Sequence, residues 1–159
     1  MSEAEVVVND EDVNRWVTFE MDNESYGISV TDVHEVLRFT EIAPVPGAPS
    51  FIIGIINLRG NVVTVIDTRS RFGLPPKEID DSTRIIINEI DGQQVGILVD
   101  SVAEVVDIHT MDIEPAPNVG NEDTARYIQG VTSLNGELLI IIDISKLLTE
   151  NEMKELSGY

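Results

Sequence analysis

A chain of 159 residues with 29 Asp and Glu against ten Lys and Arg carries a formal net charge of −19, and it has no cysteine. Disulfides, zinc fingers and thiol catalysis are therefore excluded, and so acidic a surface repels nucleic-acid backbones and anionic membranes. Apolar residues at 42% and charged residues at 25% are the composition of a folded chain with its own core. Apolar runs such as Leu138 to Ile142 are strand-length and far too short to span a bilayer. Only Lys77, Lys146 and Lys154 are lysines; high acid with scarce lysine suits high internal salt, where charge repulsion is screened. The N-terminus lacks the basic-then-apolar order of a secretory signal, so the expected location is the cytoplasm.

Residues 1–13 are acidic and read as a loose tail. A first β module is expected over 14–80. Trp16 to Met21 and Tyr26 to Ile28 flank a polar turn at Asp22 to Ser25, which is hairpin patterning. A short turn leads to a third strand around Glu35 to Ile42, then a joint rich in proline from Pro44 to Pro49. A tight hairpin with Arg59-Gly60-Asn61 at its turn closes the module through Val62 to Ile66, and Asp67 caps a short helical turn. Pro75 to Ser82 is a hydrated linker.

A second module, 81–148, repeats the first. Arg84 to Ile90 and Gln94 to Val99 surround Asp91-Gly92, a strong hairpin turn. A third strand at Glu104 to Ile108 precedes the joint Pro115 to Pro117, and Asn135-Gly136 turns into Leu138 to Ile142 before the cap Asp143. Tyr26-Gly27-Ile28 matches Val95-Gly96-Ile97, Val33-His34-Glu35-Val36 matches Val102-Ala103-Glu104-Val105, and Gly54 to Gly60 matches Gly130 to Gly136. A short insertion at Asn118 to Thr124 shifts the offset. Residues 149–159 form a C-terminal segment with a short amphipathic helix over Asn151 to Leu156. Five short strands per copy predict an all-β protein of two small barrels, with a few short helices and a groove between the modules. One such unit alone buries little surface.

No catalytic constellation emerges. His34 and His109 fall at different places in the repeat, and His34 sits beside Glu35, whose side chain on a regular strand points to the other face. The carboxylate pairs Glu11-Asp12 and Asp80-Asp81 lack an oxygen-ligand loop, and no Gly-Lys-Ser/Thr follows Gly54 to Gly60. The expectation is no enzyme, no cofactor and no metal. The informative position is where the copies differ: Arg59 stands at a hairpin tip where the second copy has Asn135. A guanidinium there serves a partner carboxylate rather than folding.

In Tyr26-Gly27-Ile28, Val33-x-Glu35-Val36, Gly54-x-x-Asn57-Leu58-Arg59-Gly60 and Asp67-x-Arg69 the chain resembles the CheW family. Val95-Gly96-Ile97-x-Val99-Asp100, Pro115-Ala116-Pro117 and Lys146-Leu147-Leu148 extend the resemblance from Trp16 to the C-terminal helix. It implies a pair of SH3-like five-stranded β-barrels packed together. It implies a non-catalytic scaffold that couples the cytoplasmic tips of chemoreceptors (methyl-accepting chemotaxis proteins) to the regulatory domain of the histidine kinase CheA, recruited to membrane-associated receptor clusters. By position, Val33, Glu35, Val36, Gly54, Asn57, Arg59 and Gly60 match receptor-coupling positions, and Gly96, Val102 and Val105 match other partner contacts. Asn61 departs from the pattern, being polar where a hydrophobe is usual. The competing readings are another interaction role on the same fold, a small-ligand site in a β-barrel, and a nucleic-acid barrel disfavoured by charge.

Overall fold

The computed structural model describes residues 13–115 and 126–157. The expected tail up to residue 12, Ala116 and Pro117 of the second joint, the insertion Asn118 to Thr124 and the last two residues lie outside the described residues. Ten strands follow in chain order: β1 Val13–Met21, β2 Glu24–Ser29, β3 Val33–Arg38, β4 Ile52–Leu58, β5 Asn61–Ile66, β6 Arg84–Ile90, β7 Gln93–Val99, β8 Ser101–His109, β9 Ile128–Leu134 and β10 Glu137–Ile142. Among the described residues these strands are accompanied by helices α1 Thr68–Arg71 and α2 Glu150–Ser157 and by three 3-10 turns.

The strands form two five-stranded sheets, ordered β8-β1-β2-β10-β9 and β3-β6-β7-β5-β4. The pair of sheets is as expected, but the division of the chain at residues 80 and 81 does not separate them. Each half lends its opening hairpin to the other half's sheet. The β1–β2 hairpin pairs with β8 and β10, and the β6–β7 hairpin pairs with β3 and β5. Pro75 to Ser82 thus joins two strands of the same sheet. The chain crosses between sheets at the Val30–Asp32 turn and at Asp100, between β7 and β8. Local patterning is blind to this exchange, because the two opening hairpins carry nearly the same alternation.

Each sheet closes on itself through an isolated bridge. Ala43 and Ile55 exchange both backbone hydrogen bonds, at 2.9 and 2.8 Å, and Glu114 and Val131 do the same at 2.8 Å each. These bridges explain two equivalent glycines. A Cβ on Gly54 would lie 2.2 Å from the Ala43 carbonyl oxygen, and one on Gly130 would lie 2.6 Å from that of Glu114.

Strand alternation assigns the core. Ile85 and Ile87 face the interior of one barrel with Ile56, Val63 and Val65. Trp16, Ile108, Leu139 and Ile141 fill the other. Ile86, Ile97 and Ile66 point the other way, into a seam shared with Val17, Phe19, Ile28 and Ile142. Burial on both faces is why β6 reads Ile85-Ile86-Ile87 without a polar break. At one end of the seam Phe19, Tyr26, Phe72 and Tyr127 follow in series with ring centroids 5.5, 4.9 and 5.3 Å apart, the outer pairs stacked and the Tyr26–Phe72 pair tilted. Burial, with the nearby Glu24, Tyr127 and Asp22 adding to it, pushes the Tyr26 hydroxyl up to about 12.

Polar contacts fasten the sheets where the chain crosses. The Asp100 carboxylate accepts from Arg69 at 2.7 Å and from the Asp22 backbone N–H at 2.8 Å, while Arg69 also reaches Asp22 at 3.2 Å. Helix α2 is held by a capping box: Thr149 N–H donates to Glu152 at 2.8 Å, and Glu152 N–H donates to the Thr149 hydroxyl at 3.1 Å. The same carboxylate takes Arg71 at 2.6 Å, and the Arg71 guanidinium lies 5.4 Å from the centre of the Phe51 ring.

Partial burial works against the charge on Glu152, but the Arg71 hydrogen bond, the Thr149 N–H and the Arg71 charge outweigh it and hold the carboxyl below its ordinary range. A carboxyl depressed in the folded state stabilises above its unfolded pKa of about 4.3 and stops doing so as pH falls through its folded value. Glu152→Gln is therefore expected to lower the melting temperature at pH 7, with the difference from wild type shrinking below about pH 4. Thermal melts across pH read this directly.

Candidate functional site

The β4–β5 hairpin ends in a two-residue turn, with Leu58 paired to Asn61 and Arg59 and Gly60 between them. Both carry positive φ, 51° and 89°, as a type I′ turn requires. The equivalent first positions of the other three hairpin turns are Asp22, Asp91 and Asn135, residues whose short polar side chains tolerate the left-handed region. Arginine has no such tolerance, so a strained backbone at Arg59 marks a side chain kept for something other than the turn. Asn57 accepts the Gly60 N–H at 2.9 Å. Its part is to shape the turn that presents Arg59.

The guanidinium of Arg59 forks onto Glu35 of β3. One nitrogen donates to Oε1 at 3.1 Å and the other makes a close contact with Oε2. Two parallel bonds fix both side chains in direction as well as distance. The Arg59 hydrogen bond is the largest effect on the Glu35 carboxyl; burial opposes it, and the charges of Arg59 and then His34 add to it, so the carboxyl is held below the usual range. The pair is therefore intact above that lowered value and is lost as pH falls through it.

The register of β3 against β6 shifts between Val33 and Glu35. His34 is the extra residue of this bulge, and its Nε2 lies 4.0 Å from the Glu35 carboxylate. The expected separation of His34 and Glu35 to opposite faces fails there, because a bulge breaks the alternation.

Besides Glu35, Asn57, Arg59 and Gly60, the residues expected to touch partners divide into three groups. Val36 is 41% exposed and its equivalent Val105 is 54% exposed, so both present apolar surface. Val33 and Val102 are half-buried and pack against the seam between the barrels. Gly54 and Gly96 present no surface: Gly54 is buried at the closing bridge, and a Cβ on Gly96 would lie 3.1 Å from Ile85 inside the barrel. Both act through packing.

Val62 and its equivalent Leu138 are 60% and 54% exposed, and strand patterning alone missed them. Their signal was a hydrophobe two residues after the turn glycine in both copies. The cavity beside α1, about 480 Å³, is lined by Asp67, Arg69, Lys77, Ile79, Leu98 and Asp100 among others, all from one sheet and its connections. Although its lining comes from both halves of the chain, it does not lie between the two sheets. Among the described residues, no three His, Asp or Glu converge as metal ligands, and no helix is long and apolar enough to cross a membrane.

Comparisons with known proteins agree with this architecture. A family model described as a CheW-like domain matches residues 15–152. The chemotaxis protein CheW of Bacillus subtilis is 39% identical over 134 residues, 84% of this chain and 86% of that one. CheW of Klebsiella aerogenes is 34% identical, covering 87% of this chain and 83% of the relative. The crystal structure of a scaffolding protein, TtCheW from Thermoanaerobacter tengcongensis, superimposes with a TM-score of 0.79 at 40% identity, covering 87% of this chain and 94% of that chain.

Proposed function

Because the chain belongs to the CheW family, we propose that this chemotaxis coupling adaptor acts by binding alone, joining the cytoplasmic tips of chemoreceptors to the regulatory domain of CheA. The observation that carries the receptor half of this reading is Arg59, held in a left-handed turn conformation and locked onto Glu35. A guanidinium fixed in this way offers its remaining donors to a receptor carboxylate at little entropic cost, since its rotamer is already chosen. Val36 and Val62 supply exposed apolar area for affinity, and the charged pair sets register. Val105 and Leu138, their equivalents on the other sheet, supply the apolar contact for a second partner.

A rigid body with two such surfaces raises the effective concentration of receptor near kinase. It transmits a signal only where its contacts differ between receptor states. The exchanged hairpins and the Arg69–Asp100–Asp22 cluster tie the two surfaces together and support such rigidity.

The test is capture of purified receptor tips and of the CheA regulatory domain by wild type, Arg59→Glu and Arg59→Asn. Arg59→Glu places a carboxylate against Glu35 and is expected to weaken receptor capture by about tenfold or more, as for loss of a charged anchor, with circular dichroism unchanged. Arg59→Asn installs the residue of the second copy; it is expected to hold the turn at least as well and still lose receptor. Equal capture by all three proteins removes Arg59 from the receptor surface.

A further inference from the structure

With ten cationic residues against 29 anionic ones, two cations facing each other without an anion run against the whole surface. Arg38, the last residue of β3, is the direct cross-strand partner of Arg84, the first of β6. Like charges placed opposite one another destabilise a sheet. The internal repeat supplies the reference. At the equivalent position of the other sheet, Arg15 faces Asp107, and the two form an ion pair at 3.0 Å. One barrel thus neutralises this position within itself, and the other puts a second arginine where the carboxylate belongs.

The two guanidinium groups line an open cavity of about 580 Å³. Arg84 is aimed by its bonds to the Asp81 and Thr83 carbonyls, at 2.8 and 2.9 Å, which orient the charge without cancelling it. Arg38 is exposed and makes no ion pair or side-chain hydrogen bond among the described residues. Phe39 and Ile79, 36% and 45% exposed, line the same cavity. Asp80 and Asp81 also border it, yet neither reaches an arginine. Asp80 is engaged by Lys77 at 3.5 Å and by the Ser82 N–H at 2.8 Å, and Asp81 contributes only its backbone carbonyl.

We propose that this cavity docks an acidic segment of another protein, whose carboxylate bridges Arg38 and Arg84 and whose neighbouring aliphatic side chain covers Phe39 and Ile79. The partner supplies in trans the anion that Asp107 supplies within the chain on the other sheet. A second copy of this chain is the poorer occupant, since two bodies of charge −19 repel. Strand alternation puts Arg38 on the face of β3 opposite Glu35 and shared with Val36, so the site borders the exposed valine of the receptor surface, but it uses neither Arg59 nor Glu35 and does not rest on the reading of that pair.

The test uses the full chain and a fluorescent peptide of alternating Glu and Leu, with a Lys–Leu peptide of equal length as control. At about 0.15 M ionic strength the screening length of about 8 Å suppresses the distant acidic surface but spares a contact pair. The Glu–Leu peptide is expected to bind more tightly than the control. Arg38→Asp rebuilds the Arg–Asp pair of the other sheet; it is expected to weaken peptide binding by about tenfold while keeping or raising the melting temperature. Ile79→Ser is expected to weaken binding severalfold without changing the melting temperature.

Binding of the Glu–Leu peptide to Arg38→Asp as tightly as to wild type overturns the proposal, and so does equal or tighter binding of the Lys–Leu control. A lower melting temperature for Arg38→Asp would show that the arginine pair serves the sheet rather than a partner. Self-association of wild type that Arg38→Asp abolishes would assign the cavity to a second copy and equally overturn the proposal.

Discussion

Gly54→Ala is expected to cost about 3 kcal/mol of stability, combining the overpacking penalty of a methyl with no room and the loss of two backbone hydrogen bonds of about 1 kcal/mol each. The new Cβ would sit 2.2 Å from the Ala43 carbonyl oxygen, 2.8 Å from its carbon and 2.9 Å from an Ile42 methyl. Two of those contacts are backbone, so no rotamer change relieves them. The strand must retreat and the Ala43–Ile55 bridge must open, which unzips the closure of that barrel. For a chain of this size the loss corresponds to about 10 °C in melting temperature.

Gly130→Ala, at the equivalent bridge, is expected to behave alike, its Cβ falling 2.6 Å from the Glu114 carbonyl oxygen. Gly60→Ala is the control: nothing lies within 4 Å, and only its φ of 89° opposes a side chain, a cost of about 1 kcal/mol. A melt in which Gly54→Ala and Gly60→Ala lose the same amount would refute the closing-bridge account. The comparison also bears on function, because a receptor-binding defect in Gly54 variants would then follow from a distorted β4–β5 hairpin. Gly54 itself is buried.

Expressed separately, the segments before and after the Asp80–Asp81 bond are expected to show no cooperative unfolding, and mixed together they are expected to recover one. Without the second half, the β1–β2 hairpin loses both neighbours, β8 and β10, and β3 loses β6. Without the first half, the β6–β7 hairpin loses β3 and β5. Isolated two-stranded hairpins are marginal in water, and the seam that would cover them is built from both halves. Mixing restores every strand pair, since the cut falls in an exposed connection inside one sheet. A cooperative melt from either half as a monomer would show that the halves are independent modules and that the exchange of hairpins is dispensable.

The difference between sequence and structure is concentrated at particular residues. The places of the four hairpin turns, the caps at Asp67 and Asp143 and the amphipathic helix near the C-terminus were legible, because each depends on neighbours within a few positions; the lengths of the turns after β1 and β4, two residues each, were not. Arg59 was legible as an oddity at a hairpin tip. Its partner Glu35 was named for a different reason, and their pairing was not foreseen, since 24 residues separate them and only barrel closure brings them together. The bulge that carries His34 toward Glu35 was likewise invisible, because one extra residue in a strand leaves no mark on its composition.

By itself, then, the order of residues determined an all-β chain, the number of its strands, the places where it turns and the duplication of the whole pattern. Which sheet each opening hairpin joins was decided only in three dimensions. The apolar faces of β1–β2 and β6–β7 are so alike that local alternation fits either neighbourhood. The choice falls to long-range pairing, with the chain crossing between sheets at Val30–Asp32 and at Asp100 and an apolar seam sealed from both sides. The opposition of Arg38 and Arg84 belongs to the same class, for it exists only once β3 lies beside β6.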